Sequence, residues 1–285
     1  MAIIRRVLGD PTGRIGLLLV GALVLTAIIG PWLVPGDPIA QDIANRLAAP
    51  AEAGYVLGTD VLGRDLLSRL VDGARLSLLV ALPSVAVAVV VGLLLGVAGG
   101  YLGGVVDNSV VTLADAIQAF PALIVAIAVL AALGPDASTG NIVVVIGFAF
   151  APNYIRMSRA LVLNIRQRPF VVAQQALGAT TARIIWKHIL PNILPPLLVL
   201  IAVNISTAIV LEAALSFLGL GIQPPTPSWG VVLFEGFPVI RQSPWPVIWS
   251  AFAIMTATFG FTLVGESLRD AVDPRGGPHR RTIAL

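Results

Sequence analysis

The residue types that carry out most enzymatic chemistry are scarce in this sequence. Its 285 residues include no cysteine, two histidines and one lysine, so disulfides, thiolate metal sites and cysteine nucleophiles are excluded. The lysine, Lys187, follows Trp186, which rules out a P-loop, and neither H-E-x-x-H nor G-x-S-x-G occurs. The sequence therefore predicts a protein that is not an enzyme and that binds no metal or cofactor itself.

Three ionisable residues lie within or near strongly apolar stretches: Asp115, Glu212 and Glu266. An ionisable group is costly in lipid, so each is a candidate functional residue. Glu212 lies in "AIVLEAALSFLGLG", and two roles stay open for it. It is either a pathway or gate residue that faces a partner subunit, or a hydrogen-bond partner for Ser216 or Thr207. We expect Asp115 to reach the cytoplasmic surface along its own side chain.

The composition places most of the chain in a lipid bilayer. The mean hydropathy is +0.92, and only 12% of the residues are charged, which is far below the share in soluble domains. Because a spanning helix needs about 20 apolar residues, the sequence predicts an all-α polytopic membrane protein with six transmembrane helices. The predicted spans are Ile15–Val34, Leu76–Gly99, Ser109–Leu133, Ile142–Ser158, Ile193–Leu218 and Val247–Val264.

The charge distribution predicts the orientation of the chain. The net charge of +3 is interpreted as basic residues at helix ends and not as a nucleic-acid site. Most basic residues lie in the N-terminal tail, in the region from Arg156 to Lys187 and in the C-terminal tail, so we expect these regions, and both termini, to be cytoplasmic. Four basic residues between spans one and two count against this topology: Arg46, Arg64, Arg69 and Arg75.

The predicted organisation has three parts. Residues 1–75 comprise an uncleaved anchor helix and an extracytoplasmic segment, residues 76–268 the transmembrane domain, and residues 269–285 a cytoplasmic tail. The stretch "GLLLGVAGGYLGG", from Gly92 to Gly104, allows close helix approach and predicts a tight bundle or a dimer interface.

The stretch "FVVAQQALGATTARIIWKHILP" is unusually polar for this chain and predicts a helical hairpin in the longest cytoplasmic loop. Gly178 is suited to a left-handed helix stop, Thr180 or Thr181 can cap a second helix, and Pro191 is expected to begin the next span. We expect the hairpin to dock into a groove on another protein, although it could also lie on its own membrane domain. The predicted apolar faces consist of Phe170, Val171, Ala173 and Leu177, and of Ile184, Ile185, Ile189 and Leu190.

Four blocks of the sequence resemble the inner-membrane permeases of ABC importers of the dipeptide/oligopeptide/nickel type, specifically their C-type subunit. The blocks are "LGTDVLGRDLLSRLVDGARLSLLVAL", "GYLGGVVDNSVVTLADAIQAFPALI", "EAALSFLGLGIQPPTPSWGVVL" and "GESLRDAVDPR". The resemblance implies a type I importer permease fold in the bacterial inner membrane. It also implies that the segment "GLGIQPPTPSWGVVLFEGF", which contains Trp229, helps to form an outer gate or the dock for a substrate-binding protein. The alternative is an ordinary interfacial loop with Trp229 at the level of the lipid headgroups. Glu212, Ser216 and Trp229 are the candidate pathway or gate residues.

The stretch from Phe170 to Pro191 is similar to the coupling loop of that family, within residues 164–191. Val172 stands where the family motif usually has glutamate, and Gln174 where it usually has alanine. The resemblance implies that the loop contacts a separate ATPase through Phe170, Ala173, Ala176, Leu177, Gly178, Ala179, Arg183, His188, Leu190 and Pro191.

The resemblance also implies a set of partners. These are a second homologous permease, ATPase subunits that bind ATP and Mg²⁺, and an extracytoplasmic substrate-binding protein. The implied cargo is a peptide, with nickel, glutathione or haem as alternatives. A self-contained channel or secondary transporter is the competing function, and it predicts ionisable relay residues through several spans.

Overall fold

The structure, a computed structural model, describes residues 2–34, 36–134 and 138–272, with side chains from residue 5 onward. Every regular element in these ranges is helical. The α-helices are α1 (Ala2–Gly9), α2 (Pro11–Leu33), α3 (Leu66–Leu102), α4 (Gly104–Gln118), α5 (Ala122–Leu133), α6 (Thr139–Ile165), α7 (Pro169–Ala176), α8 (Thr181–Ile184), α9 (Leu190–Phe217), α10 (Trp229–Gly236) and α11 (Trp245–Val272).

Within the described ranges, five helices are long and apolar enough to cross a membrane, and a sixth candidate is formed by α4 and α5 together. These two helices meet at an angle of 88°. The prediction of one continuous span over Ser109–Leu133 is therefore wrong in its geometry. Ala119, Phe120 and Pro121 separate the helices, and Pro121 lacks the backbone N–H that would continue the first one.

The fifth span begins earlier than the sequence indicates. A π-helical turn, Ile185–Ile189, joins α8 to α9, so one helix runs over Thr181–Phe217. Pro191 lies in the first turn of α9, as expected, but α9 continues a helix that already begins at Thr181. Pro191 thus directly follows the π turn and Leu190 and does not interrupt the helix.

Close packing of α3 against α6 forms the centre of the bundle. A β-carbon on Gly92 would overlap Tyr154, and one on Gly96 would overlap Ser158. The hydroxyl of Ser158 donates to the carbonyl of Gly92 (2.9 Å). The glycine stretch thus serves packing within the chain, as the bundle interpretation predicts.

The segment between α2 and α3 folds back on itself outside the long helices. Gly63 has a φ of +75°, and a β-carbon there would overlap the backbone of Asp42, so glycine is required. The buried hydroxyl of Thr59 accepts from the amide of Ala48 (2.9 Å), and the carbonyl of Asp60 accepts from the amide of Leu47 (3.0 Å). This segment is therefore an ordered cap on the start of α3.

The N-terminal helices pack against α11. A β-carbon on Gly16 of α2 would lie 2.8 Å from the backbone of Val264, and the Arg6 guanidinium donates to the carbonyl of Ala271 (2.9 Å). The end of the "GESLRDAVDPR" block and the rest of the tail, residues 273–285, lie outside the described residues.

Candidate functional site

The coupling loop is formed by α7, a tight turn and α8. Gly178 has a φ of +75°, and its amide donates to the carbonyl of Gln175 (3.0 Å). The hydroxyl of Thr180 accepts from the amide of Arg183 (3.4 Å) and caps α8. The helix stop and one of the two predicted caps are therefore present.

The two faces of the loop differ from those expected. Val171, Ile184 and Ile189 are fully buried within the chain, so these three do not form an exposed docking face. Phe170 and Leu177 of the predicted faces are exposed, and so are Val172 and Trp186, with Leu177 at 80% and Trp186 at 72% exposure. The loop thus buries three of its apolar residues against its own chain and leaves the other four as an exposed apolar surface.

The predicted coupling residues lie together at this end of the molecule. The ring of Phe170 packs at 52° to that of His188, with 6.3 Å between centroids, and the carbonyl of His188 accepts from the amide group of Asn192 (2.7 Å). Ala179, His188 and Leu190 are half-buried. The exposed members are Phe170, Ala173, Ala176, Leu177, Gly178, Arg183 and Pro191.

A cleft of about 540 Å³ opens beside the coupling loop. Its lining consists of Ile165, Arg168, Pro169, Phe170 and Asn192. It therefore lies between the end of α6, the start of α7 and the start of α9. Arg168 and Phe170 supply a cationic and an aromatic side chain to its lining. The coupling loop therefore has both an exposed apolar turn and a cleft beside it.

Glu212 lies inside the chain at the other end of α9. Its side chain is fully buried and accepts from the hydroxyls of Ser216 (2.8 Å) and Ser77 (3.2 Å). The hydroxyl of Ser216 in turn accepts from the amide of Ile222 (3.0 Å). Of the two predicted hydrogen-bond partners of Glu212, Ser216 is therefore bonded to it. Thr207 is bonded elsewhere, because its hydroxyl donates to the carbonyl of Val203 (3.1 Å).

Trp229 is also buried and not at a lipid interface. It is 2% exposed, and its indole N–H donates to the carbonyl of Leu70 (2.9 Å). Gly73 makes room for the ring, because a β-carbon there would lie 2.7 Å from it. The hydroxyl of Ser228 caps α10 by accepting from the amide of Val231 (3.2 Å). The loop after α9 is thereby fixed to the start of α3.

Four charged side chains form a buried group at this end, which we call the charge quartet: Asp60, Arg64, Arg69 and Glu235. One oxygen of Asp60 accepts from Arg64 (2.6 Å) and from Arg69 (2.8 Å), and one oxygen of Glu235 accepts from the same two arginines at the same distances. Arg64 is 2% exposed and Arg69 is fully buried. Two positive and two negative charges therefore balance one another, and only Glu235, at 14% exposure, has appreciable contact with solvent.

Sequence reasoning missed the charge quartet. Asp60 and Arg64 lie before α3, where the helical rule for residues four apart gives no signal, and Glu235 is 171 positions from Arg64. Burial acts to lower the pKa of Arg64, and the bonds from Glu235 and Asp60 outweigh it and leave the pKa raised. Nearby, bonds from Asn45 and Tyr55 lower the pKa of the Asp42 carboxyl.

Asp115 lies on the surface of the chain, where its side chain is 56% exposed and paired. Its carboxylate accepts from the guanidinium of Arg156 on α6 (2.6 Å). Within the described ranges, no group of three or more histidine, cysteine, aspartate or glutamate residues could hold a metal ion.

The geometry is that of a polytopic helical bundle with a protruding apolar loop at one end and a fixed polar cap at the other. The family model of the binding-protein-dependent transport system inner membrane component matches residues 88–276. The model of the N-terminal transmembrane domain of oligopeptide transport permease C matches residues 2–50. The chain therefore belongs to the family of binding-protein-dependent inner-membrane permeases, as its four sequence blocks predict, and it is a multi-pass membrane protein.

Comparison with similar proteins shows to which group within that family the chain belongs. A di/tripeptide transport system permease from Pseudomonas aeruginosa is 40% identical over 91% of this chain and 87% of its own length. A dipeptide transport system permease from Alkalihalophilus pseudofirmus is 40% identical over 92% of this chain and 85% of its own. A nickel transport system permease from Escherichia coli is 36% identical over 92% of this chain and 93% of its own. The chain is thus a permease of the dipeptide/oligopeptide/nickel type.

Proposed function

We propose that this chain forms one half of the translocation pathway of an ATP-driven importer and couples to separate ATPase subunits through residues 164–191. The observation that carries the proposal is the exposed apolar surface of the coupling loop. Exposed apolar surface of this kind marks a site of protein interaction, and Leu177 and Trp186 are its most exposed members. With no P-loop in its sequence, the chain depends on its partners for ATP and Mg²⁺ and acts without catalysis of its own.

The continuous helix Thr181–Phe217 gives the coupling a mechanical route. It connects the coupling loop to Glu212 and Ser216, which hold the chain that follows α9 through the amide of Ile222. A movement of the ATPase pair would displace the loop end of this helix and rock it as a unit. The ATPase cycle would then shift the bundle between inward-facing and outward-facing packings.

The remaining partners follow from the family. One six-helix chain supplies half of a pathway, so a second homologous permease completes it. A substrate-binding protein would deliver cargo at the end that carries the charge quartet, and both termini and the coupling loop would be cytoplasmic. Peptides of the dipeptide/oligopeptide class are the proposed cargo, because the relatives named for di- and tripeptides are 40% identical. Nickel, glutathione or haem remain the alternatives.

Co-purification from native membranes in mild detergent, followed by reconstitution, tests this function. We expect a second permease and ATPase subunits to be recovered with the chain, and Leu177→Asp to remove the ATPases. A buried apolar anchor contributes about 2 kcal/mol or more to an interface, so ATPase affinity should fall about thirtyfold. The matched control is Ile43→Asp, since Ile43 is 56% exposed outside the long helices.

A second variant tests the turn itself. Gly178→Pro cannot adopt the φ of +75° and lacks the N–H that bonds to Gln175, so ATP-dependent uptake should be lost. Transport by the chain alone, without ATP, would refute the proposal and favour a self-contained channel or secondary transporter. Unchanged uptake in both coupling-loop variants would refute the role of the loop.

A further inference from the structure

The region that contains the coupling loop carries charge of one sign. Residues 138–211, which cover α6, the coupling loop and most of α9, include no aspartate or glutamate. Each positive charge in this region is therefore compensated either by another part of the chain or by something outside it. The basic residues are Arg156, Arg159, Arg166, Arg168, Arg183 and Lys187.

Three of these basic residues are bonded within the chain. Arg156 and Arg159 each donate to an aspartate carboxylate of α4, at 2.6 Å in both pairs. The guanidinium of Arg166 donates to the carbonyl of Gly100 (2.9 Å), near the end of α3. These three residues thus hold α6 to its neighbouring helices.

The other three, Arg168, Arg183 and Lys187, have no such bond. All three are exposed, and within the described residues none of their side chains makes a hydrogen bond or an ion pair. Arg183 and Lys187 are four positions apart in the helix that begins at Thr181, which places them near the same side of it. The unbonded positive charges of this region therefore all lie in the coupling loop.

These three charges lie beside the exposed apolar residues of the loop. Lys187 directly follows Trp186, which is 72% exposed, and Arg168 lines the same cleft as Phe170. Protein interfaces are enriched in aromatic residues and arginine, and the two sides of an interface are complementary in charge. The surface of the coupling loop therefore fits a groove that has apolar pockets with negative charges around them.

We propose that the ATPase groove that receives the coupling loop carries aspartate or glutamate side chains, and that these pair with Arg168, Arg183 and Lys187. Each of the two guanidinium groups can bind a carboxylate through two parallel N–H bonds, whereas the ammonium group of Lys187 binds one as a point charge. The acidic groove rests on the proposed function, because it is a property of the partner that binds this loop.

An acidic groove also accounts for a departure of the loop from the family motif. Val172, which stands where that motif usually has glutamate, is 50% exposed on α7. A glutamate at this position would add a negative charge to a surface that faces carboxylates, and like charges across an interface are unfavourable. The valine keeps the exposed surface of the loop free of negative charge.

Anionic lipid headgroups are the other negatively charged surface that basic residues of a membrane protein contact. The proposed function places the ATPase on Leu177 and Trp186, which lie between Arg168 and Lys187 in the sequence. A partner that covers these two apolar residues also meets the charges beside them. We therefore assign the charges to the ATPase, and lipid contact is one outcome of the test.

Cross-linking without a spacer tests the contact directly, because Lys187 is the one lysine of the chain. A carbodiimide joins an amine to a carboxylate that touches it as an amide, and the reagent takes up the released water as a urea. In the detergent-purified complex, we expect a conjugate between Lys187 and an aspartate or glutamate of the ATPase, located by peptide mass. Lys187→Arg keeps the positive charge but offers no amine that couples, so this conjugate should be absent although the ATPase is still recovered.

The salt dependence of ATPase binding tests the role of the charges. Each exposed ion pair strengthens binding by a factor of about two, so Arg168→Gln, Arg183→Gln and Lys187→Gln together should weaken ATPase affinity about eightfold at about 50 mM salt. At about 500 mM salt the pairs are screened, so the unmodified complex should lose most of this advantage over the triple variant. The control is Arg46→Gln with Arg241→Gln, which removes two exposed charges outside the loop and should change neither the affinity nor its salt dependence.

The outcomes separate the acidic groove from the proposed function. If Leu177→Asp releases the ATPase, but no Lys187 conjugate forms or the triple variant binds the ATPase as tightly as the unmodified protein, the acidic groove is wrong and docking of the loop stands. The same result with less anionic lipid bound to the triple variant assigns the charges to lipid headgroups. An ATPase that stays bound to Leu177→Asp overturns the proposed function instead.

Discussion

Removal of one charge from the charge quartet should destabilise the end of the bundle that carries it. Glu235→Gln keeps the shape of the side chain and removes a negative charge, so Arg64, Arg69 and Asp60 are left with a net positive charge. Arg64 is 2% exposed and Arg69 is fully buried, which leaves this charge without solvent. Loss of one partner of a buried ion pair destabilises by about 3–5 kcal/mol, and the 14% exposure of Glu235 favours the lower value.

A loss of about 3 kcal/mol should lower the melting temperature of the detergent-purified protein by about 6 °C, at about 2 °C per kcal/mol for a chain of this size. Limited proteolysis should show earlier cleavage within residues 36–65, because Asp60 and Arg64 hold that segment to α10. Arg46→Gln is the matched control, since Arg46 is exposed and its loss should change the melting temperature by less than about 1 °C.

A double variant separates charge balance from loss of contacts. Arg64→Met with Glu235→Met removes one charge of each sign and leaves Asp60 paired with Arg69. It should lose less stability than the sum of its two single variants, by about 1–3 kcal/mol. A melting temperature for Glu235→Gln equal to that of the unmodified protein, or strict additivity in the double variant, would refute the reasoning.

Three other substitutions have expected outcomes. Gly92→Ala should lower stability by about 1–3 kcal/mol, because its β-carbon would overlap Tyr154. The control is Gly21→Ala, which should leave stability unchanged because the space around Gly21 is open. Melting curves compare the two variants. Trp229→Phe removes the bond to the carbonyl of Leu70 and should lower stability by about 1 kcal/mol, measured against Trp32→Phe, because Trp32 is 83% exposed. Val172→Glu should leave the melting temperature within about 1 °C, since Val172 is 50% exposed, yet lower ATP-dependent uptake if the coupling loop docks by apolar contact. Uptake equal to that of the unmodified protein would count against an apolar contact at this position.

Local signals in the sequence predicted much of the bundle. Apolar runs of sufficient length located the spans, and Gly178 predicted a turn because its position between two short helical patterns requires a left-handed backbone. The continuity of Thr181–Phe217 was not predictable in the same way. Pro191 is typical of a helix start by local rules, and no local signal indicates that the π turn Ile185–Ile189 joins α9 to the helix before it.

The apolar pattern of the coupling loop does not predict which of its residues are buried. An amphipathic pattern does not distinguish apolar residues that face the same chain from those that face a partner. The pattern predicts Val171 and Leu177 on one face of the first helix of the loop, yet Val171 is fully buried and Leu177 is 80% exposed. Helix periodicity could not resolve this, since Leu177 lies after the end of α7 at Ala176. The exposed residue therefore belongs to the turn, whose direction is set by Gly178 and not by the pattern of α7.

The charge quartet also bears on the orientation of the chain. The four basic residues between spans one and two oppose a cytoplasmic N-terminus when each is counted as a free surface charge. Arg64 and Arg69 are not free, because each is bonded to both Asp60 and Glu235 inside the protein. Only Arg46 and Arg75 then remain in that segment to weigh against the basic residues of the coupling loop and the N-terminal tail. The same ion pairs that fix the segment before α3 to α10 thus remove half of the objection to the proposed topology.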